Sequence, residues 1–404
     1  MSPVLLPALI LVATYAVLAV GQAPLLRIDR TGAAIVGAIL MVTVGGLSLD
    51  QAYRSIDYRT LVLLFGMMVL VSNLQLAQFF SGLARWIVAA VHHPAALLVT
   101  VVFASGLLSA LFVNDTVCLV FTPVLLDVAA IRRHRPQPYL LALATASNIG
   151  SAATMTGNPQ NMLIGSLSGL GYLEFASALA PVALAGLAID SALLWVLFRK
   201  DLHAGDFESD ERGPRPAHRA MMAKSLVVAA GVVILFLAGV DTALVAAGGA
   251  AVLLLTRRVK PEKVYRLIDW GLLTLFIGLF VVIAGIERVG LDRVFFEWLQ
   301  PIGIDSVAGL SAVAAALSNL TSNVPAVMLF SRVVPYLPDP RTSWLTLAMS
   351  STLAGNLTIL GSIANLIVVE GARRRGVRIS FVEYLRIGVP VTILTLAFGI
   401  WWLS

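Results

Sequence analysis

Two short polar runs interrupt otherwise apolar sequence, Asn114-Asp115-Thr116 and Ser322-Asn323-Val324. Each is followed by a longer one. The first is Ser147-Asn148-Ile149-Gly150-Ser151 through Thr156-Gly157-Asn158-Pro159-Gln160-Asn161; the second is Gly355-Asn356 through Gly361-Ser362-Ile363-Ala364-Asn365. None contains Lys or Arg, and no His dyad, Gly-x-Ser-x-Gly turn or cluster of acids accompanies them, so bond-breaking chemistry has no machinery here. A helix interrupted by such residues exposes N–H groups at the new N-terminus and C=O groups at the preceding C-terminus. The first attract anions and the second cations. The chemistry on offer is reversible coordination by amides, hydroxyls and peptide dipoles.

Asp115 is the one carboxylate in these runs. If it lies within a membrane it is costly and marks a functional site, as ligand of a coupling ion or as proton carrier. The competing role is a plain helix N-cap. Asn114 and Asn323 read as site residues; Asn148, Asn158, Asn161 and Asn365 either line the site or satisfy the interrupted backbone. Asp190 reads as a partnered core acid and Cys118 as a small apolar filler.

These runs must be positioned by membrane helices. The chain has 404 residues, is 59% hydrophobic and only 12% charged, with a mean hydropathy of +0.91. A soluble domain carries about 25% charged residues. One cysteine excludes a disulfide framework and a cysteine-rich metal cluster, and the five histidines fall in polar connections. The net charge of +6 follows a membrane pattern rather than a nucleic-acid footprint. Residues 1–22 lack a basic start and read as a retained first helix rather than a signal peptide.

Apolar segments at 4–21, 31–49, 58–78, 175–198, 223–239, 241–256, 268–287 and 381–403 are near the ~20 residues of a span. Regions 139–171 and 343–371 read as broken crossings, which makes ten crossings. Regions 95–130 and 306–334 read as hairpins. Their second legs, Thr116–Ala129 and Val324–Val334, would reach only about 21 and 16 Å, short of a ~30 Å core, so both read as re-entrant. All but six of the 28 Lys and Arg (Arg54, Arg59, Arg288, Arg293, Arg332 and Arg341) fall on one side, which is therefore cytoplasmic, with both termini outside.

Tyr53-Arg54-Ser55-Ile56-Asp57 returns as Tyr265-Arg266-Leu267-Ile268-Asp269, 212 positions later. Gly37 pairs with Gly249, Gly66 with Gly278, Trp86 with Trp298, Asn114 with Asn323, Ser147 with Ser351, Asn161 with Asn365 and Pro181 with Pro390. Five crossings per copy invert the second copy. The fold expected is an all-α polytopic membrane protein of two inverted repeats, 1–198 and 223–404, joined by a cytoplasmic linker, 199–222. Each repeat holds five crossings, one of them broken, and a re-entrant hairpin. Inverted repeats with broken helices are the signature of secondary transporters.

Asn114-Asp115-Thr116-Val117-Cys118-Leu119-Val120-Phe121-Thr122-Pro123 is similar to the Asn-Asp…Thr-Pro hairpin of arsenite permeases, and Gly157-Asn158-Pro159-Gln160-Asn161 to a Gly-Asn/Asp-Pro-x-Asn segment. The whole chain resembles the ion transporter superfamily of arsenite permeases, NhaD sodium/proton antiporters, CitM citrate carriers and divalent anion/sodium symporters. In the dicarboxylate branch, paired Ser-Asn-Thr tips hold substrate carboxylate and sodium. The resemblance places that role on Asn114, Asp115, Thr116, Ser322 and Asn323, although Asp115 and Val324 depart from the branch's Asn and Thr.

The expected substrate set is Asn114, Thr116, Asn158, Asn161, Ser322, Asn323, Ser362 and Asn365. The expected Na⁺ or H⁺ coupling set is Asn114, Asp115, Ser147, Asn148, Gly150 and Asn356. No other cofactor is expected. The function expected is ion-coupled transport of a small anion or metalloid, arsenite-like, across a bacterial inner membrane. A sodium/proton antiporter, a sodium-coupled di- or tricarboxylate carrier and a passive anion channel remain alternatives. No Gly-x-x-x-x-Gly-Lys-Ser/Thr loop is present for ATP-driven pumping; a separate ATPase subunit and a homodimer both stay open.

Overall fold

The computed structural model describes residues 4–23, 27–131, 134–202, 219–255 and 260–404. Most of the linker, 203–218, and the basic residues Arg132, Arg133, Arg257 and Arg258 lie outside the described residues. The first half comprises α1 (Leu5–Val20), α2 (Arg30–Thr43), α3 (Leu49–Ser55), α4 (Tyr58–Leu76), α5 (Phe79–Ala90), α6 (Pro94–Leu111), α7 (Asn114–Ile131), α8 (Gln137–Ser151), α9 (Pro159–Ser168) and α10 (Tyr172–Leu202). The second comprises α11 (Arg219–Leu237), α12 (Thr242–Leu254), α13 (Pro261–Tyr265), α14 (Trp270–Arg288), α15 (Leu291–Leu299), α16 (Val307–Thr321), α17 (Asn323–Phe330), α18 (Pro340–Leu353), α19 (Ile363–Arg374) and α20 (Phe381–Leu403). Two-residue strands at Gln22–Ala23 and Ile28–Asp29 pair antiparallel.

The protein is an all-α polytopic membrane protein. Among the described residues six helices, α4, α6, α10, α11, α14 and α20, are long and apolar enough to cross a bilayer, or seven elements if the bent pair α15–α16 counts as one. The sequence reading of ten crossings differs in three respects. It leaves out α6, which it reads as a hairpin leg, and it adds the broken pairs α8–α9 and α18–α19 and the helices α1, α2 and α12, which are apolar but have 16, 14 and 13 residues.

The hairpin legs also differ from expectation. The polar pair Asn114-Asp115 forms the first turn of α7 instead of a loop, where unpaired N–H groups tolerate polar side chains. With Ala130 and Ile131 added at its other end, α7 has 18 residues, about 27 Å. In the second hairpin α17 has 8 residues, about 12 Å, and the chain continues through a 3₁₀ turn at Val334–Tyr336. Leg length is therefore no guide to where the first tip stops. Its backbone is: Asn114 N–H donates to Gly157 O at 3.1 Å, level with the break between α8 and α9.

Besides the short α3 and α13, two longer helices escape the sequence reading, α5 and α15. Each is amphipathic: in α5, Phe80, Ala84 and Ile87 are buried while Trp86 stands out at 67% exposure. Trp298 of α15, the residue paired with Trp86 by sequence, is 74% exposed. Such helices suit the membrane–water interface, where Trp is enriched.

The halves meet through glycine. α4 packs on α12 and α14 on α2. A Cβ on Gly66 would lie 2.6 Å from the Ala246 carbonyl carbon, and one on Gly278 2.7 Å from that of Ala34. Backbone can approach backbone only because these positions carry no side chain. Arg59 of α4 also forms an ion pair with Asp241, the N-cap of α12. We expect Gly66→Leu and Gly278→Leu each to destabilise the detergent-solubilised protein by about 1–3 kcal/mol or more, as overpacking does. Thermal unfolding followed by size-exclusion fluorescence checks this; a variant melting with the parent refutes it.

Candidate functional site

α8 enters the core with fourteen buried residues and ends at Ser151. The chain then runs non-helically to Asn158, whose side-chain oxygen caps α9 by accepting from Asn161 N–H at 2.9 Å. α18 ends at Leu353, passes through two 3₁₀ turns, and restarts at Ser362, whose hydroxyl accepts from Ala364 N–H to cap α19. The carbonyls orphaned at each break are taken by an asparagine one turn into the next helix. Asn161 Nδ2 donates to Ser151 O at 3.1 Å and Thr154 O at 3.0 Å. Asn365 Nδ2 donates to Gly355 O at 2.7 Å and Thr358 O at 3.0 Å. Residues matched between the halves thus make the same bonds.

The breaks are joined to each other. Asn148 Nδ2 donates to Asn356 Oδ1 at 2.9 Å and Asn365 Oδ1 at 3.0 Å. Asn148 Oδ1 accepts from Ser362 Oγ at 2.9 Å and from Asn114 Nδ2 at 3.0 Å. This amide uses both protons and both lone pairs. Its counterpart in α18 is Thr352, which accepts from Asn158 Nδ2 at 3.2 Å and donates to Asn161 Oδ1 at 3.4 Å. Asn323 is part of the same cluster: a Cβ on Gly355 would lie 3.5 Å from its Nδ2 and 3.3 Å from Ser362 Cβ.

Most candidates therefore converge: Asn114, Asn148, Asn158, Asn161, Asn323, Asn356, Ser362 and Asn365. Asn114 Oδ1 and Asn323 Oδ1, one from each hairpin tip, are buried acceptors with no partner among the described residues. Ser322 holds φ +80° and ψ 158°, a conformation that strains any side-chain-bearing residue, and sets the direction of the second tip. Asp115 and Thr116 are half-buried at the first tip. The Asp115 carboxylate accepts no hydrogen bond among the described residues, so the N-cap role is not realised; it lies in electrostatic reach of Asp269, the N-cap of α14.

Two candidates do other work. Gly150 is a packing residue: a Cβ there would sit 2.0 Å from Gly106 O, and its carbonyl is taken by Ala153 N–H at 3.0 Å. Ser147 donates to Ala144 O and accepts from Cys118 Sγ at 3.1 Å, tying α7 to α8. Thr352 is a cluster residue that sequence reasoning missed, as are Gln160, which donates to it, and Ser151, which accepts from Asn158; the Ser147–Ser351 pairing, read one position on, points to Thr352.

The second hairpin and the break helices contact the rest of the molecule unequally. Tyr15 OH donates to Pro325 O at 2.9 Å, and Ser166 Oγ to Asp57 Oδ2 at 2.6 Å. Glu174 and Arg341 pair at 2.6 Å. The residues matched to Tyr15 and Ser166 are Val227, which is 72% exposed, and Glu370, which turns to Arg373 and Arg374. Tyr15 and Ser166 thus tie α17 and α9 to α1 and to the start of α4 through bonds that their matched residues do not repeat, among the described residues, for α7 and α19.

A family profile described as citrate transporter (CitMHS) matches residues 9–348. The chain belongs to the citrate transporter family. That family is one of transporters, not of enzymes, and this member is an integral membrane transporter. Among relatives, the chain is 33% identical to the silicon efflux transporter LSI3 of Oryza sativa subsp. japonica, over 93% of each chain. It is 30% identical to the inner membrane protein YbiR of Escherichia coli, over 80% of this chain and 82% of that one. The crystal structure of the Alcanivorax borkumensis YdaH transporter shares the fold, with TM-score 0.61 and 19% identity over 100% of this chain and 97% of that chain.

We expect Asn148→Leu to orphan four buried partners, at about 1–3 kcal/mol each, and to prevent a stable fold. Thr352→Val releases fewer partners and leaves a folded, less stable protein. Melting temperatures ranked the other way would show that Asn148 is not the hub.

Proposed function

We propose that this transporter exports a small, uncharged, polyhydroxylated metalloid acid of the silicic or arsenious type, coupled to a cation. The observation that carries this is the pair of unpartnered, buried amide oxygens at Asn114 and Asn323. A buried acceptor without a donor is costly, and a solute bearing several O–H groups supplies the donors. Citrate at neutral pH is a trianion that offers acceptors, and the four polar runs contain no Lys or Arg to meet it. The relative described as a silicon efflux transporter supports the same substrate class.

In this reading the two halves are inverted repeats, the tips of hairpins 95–130 and 306–334 are re-entrant, and transport alternates access between them. The matched bonds of Asn161 and Asn365 and the reciprocal glycine contacts support the inversion. The bonds of Tyr15 to α17 and of Ser166 to Asp57, without counterparts at α7 and α19 among the described residues, support two unequal sides. Asp115, half-buried and unpaired, is the ligand of the coupling ion, Na⁺ or H⁺. We assign the more basic side to the cytoplasm of a bacterial inner membrane, with both termini outside.

Reconstituted in proteoliposomes, the protein is expected to move silicic acid or arsenite when a Na⁺ or pH gradient is imposed. Asp115→Asn should leave the fold intact and weaken the dependence on that gradient about tenfold or more, the size of one lost ion contact of ~1.4 kcal/mol. Cation exchange without metalloid movement would make the protein an antiporter and overturn the substrate. Unaltered ion dependence in Asp115→Asn would remove its role.

A further inference from the structure

A second carboxylic acid lies outside this site. Asp190, near the middle of α10, has no exposure and makes no ion pair among the described residues. One of its oxygens meets Thr145 Oγ1 at 2.9 Å; the other is buried without a partner. Ionised, it would hold a full negative charge on a single neutral donor, an arrangement that proteins rarely sustain in their interior.

The donor is itself shared. Thr145 Oγ1 lies 2.9 Å from Leu141 O as well as 2.9 Å from Asp190 Oδ2. A hydroxyl has one proton and can serve only one of these acceptors. With the proton on Leu141 O, the contact to Asp190 is a hydrogen bond only if the acid carries a proton and donates it. When the acid ionises, the hydroxyl must turn to it and release Leu141 O. That release removes a back-bond of the kind that bends helices, within the turn of α8 that leads to Asn148. The Thr145 carbonyl meanwhile accepts from Asn356 Nδ2 at 3.1 Å. One residue therefore touches the acid with its hydroxyl and the asparagine cluster with its backbone.

The elements around Asp190 supply no fixed countercharge. α6 has no ionisable residue; α8 has Tyr139 near its start; α11 has Arg219 and Lys224 in its first two turns; α18 has Arg341 in its first turn. α20 brings Glu383, Tyr384 and Arg386, and of these the buried Tyr384 hydroxyl, itself without a partner, is in electrostatic reach of Asp190. Cys118 of α7 is in reach of that same hydroxyl. On α10 itself the nearest cations, Arg199 and Lys200, are more than two helical turns further on.

We propose that Asp190 is a proton-binding site of this carrier, separate from the tip carboxylate Asp115, and that Thr145 transmits its protonation to the asparagine cluster. This rests on the reading of the chain as an ion-coupled carrier and names a proton among the coupled ions.

Infrared difference spectra of the full chain in proteoliposomes, taken between mildly acidic and mildly alkaline buffer, test it without any substrate. A carboxylic C=O band that fades on alkalinisation is expected in the parent and in Asp115→Asn, and its loss in Asp190→Asn. The amide of Asp190→Asn can still donate to Thr145, which preserves packing, and Thr145→Val should keep the band but move its titration midpoint. Absence of a titrating band in the parent, or its persistence in Asp190→Asn, overturns the proposal, as does an unmoved midpoint in Thr145→Val. In flux assays a one-unit pH gradient sustains about a tenfold substrate ratio at one proton per solute. Asp190→Asn should bring that ratio near unity, and an undiminished ratio counts against the proposal. If neither silicic acid nor arsenite moves in the parent, the substrate reading fails while the infrared result still decides this one.

Discussion

Peptide groups left open inside a low-dielectric layer have to be answered by other polar groups, and the central architecture follows from that constraint. Each broken helix leaves carbonyls at one end and N–H groups at the other. Asparagine is suited to both, since one side chain offers two donors and an acceptor with two lone pairs. Asn161 and Asn365 close the carbonyls of their own breaks, Asn158 and Ser362 close the N–H ends, and Asn148 binds the two breaks together. The packing of the flanking helices is arranged to make this meeting exact in distance, with α6 and α8 brought into backbone contact at Gly106 and Gly150.

Much of this was legible in the residues. Asn and Gly inside apolar sequence are expensive in a membrane helix, so their presence at 147–161 and 355–365 marks the breaks without any structure. The recurrence of Asn114 as Asn323 and of Asn161 as Asn365 marks which of them act together. What the residues could not reveal is direction. Gly150 has the same surroundings in sequence as Asn148, yet two residues along a helix turn it to the opposite face, against α6. A glycine that admits a neighbouring backbone and a glycine that presents its carbonyl to an ion look alike in one dimension.

The two amphipathic helices show a different limit. α5 mixes Phe and Trp with Arg, and α15 mixes them with Arg, Asp and Glu, so a search for unbroken apolar runs passes over them. Their apolar faces become evident only when read at helical spacing, as with Phe80, Ala84 and Ile87. The start of the first hairpin leg was missed for a related reason: an acidic residue ends an apolar run on paper, whereas the first turn of a real helix accommodates it.

The cluster also bears on what the vacant carrier can do. A pocket lined by fixed charges is stranded without its ligand, because moving bare charge through hydrocarbon is prohibitive. Here Asn148 bonds to Asn365, Asn161 and Asn365 bond to the backbone of their own breaks, and within the cluster two amide oxygens, those of Asn114 and Asn323, are left unanswered among the described residues. On the proposed reading, in which a cation neutralises the Asp115 carboxylate, an unloaded protein of this kind can reset without a return passenger. Net discharge down to low internal concentration, rather than one-for-one swapping, is the mode of operation such wiring permits.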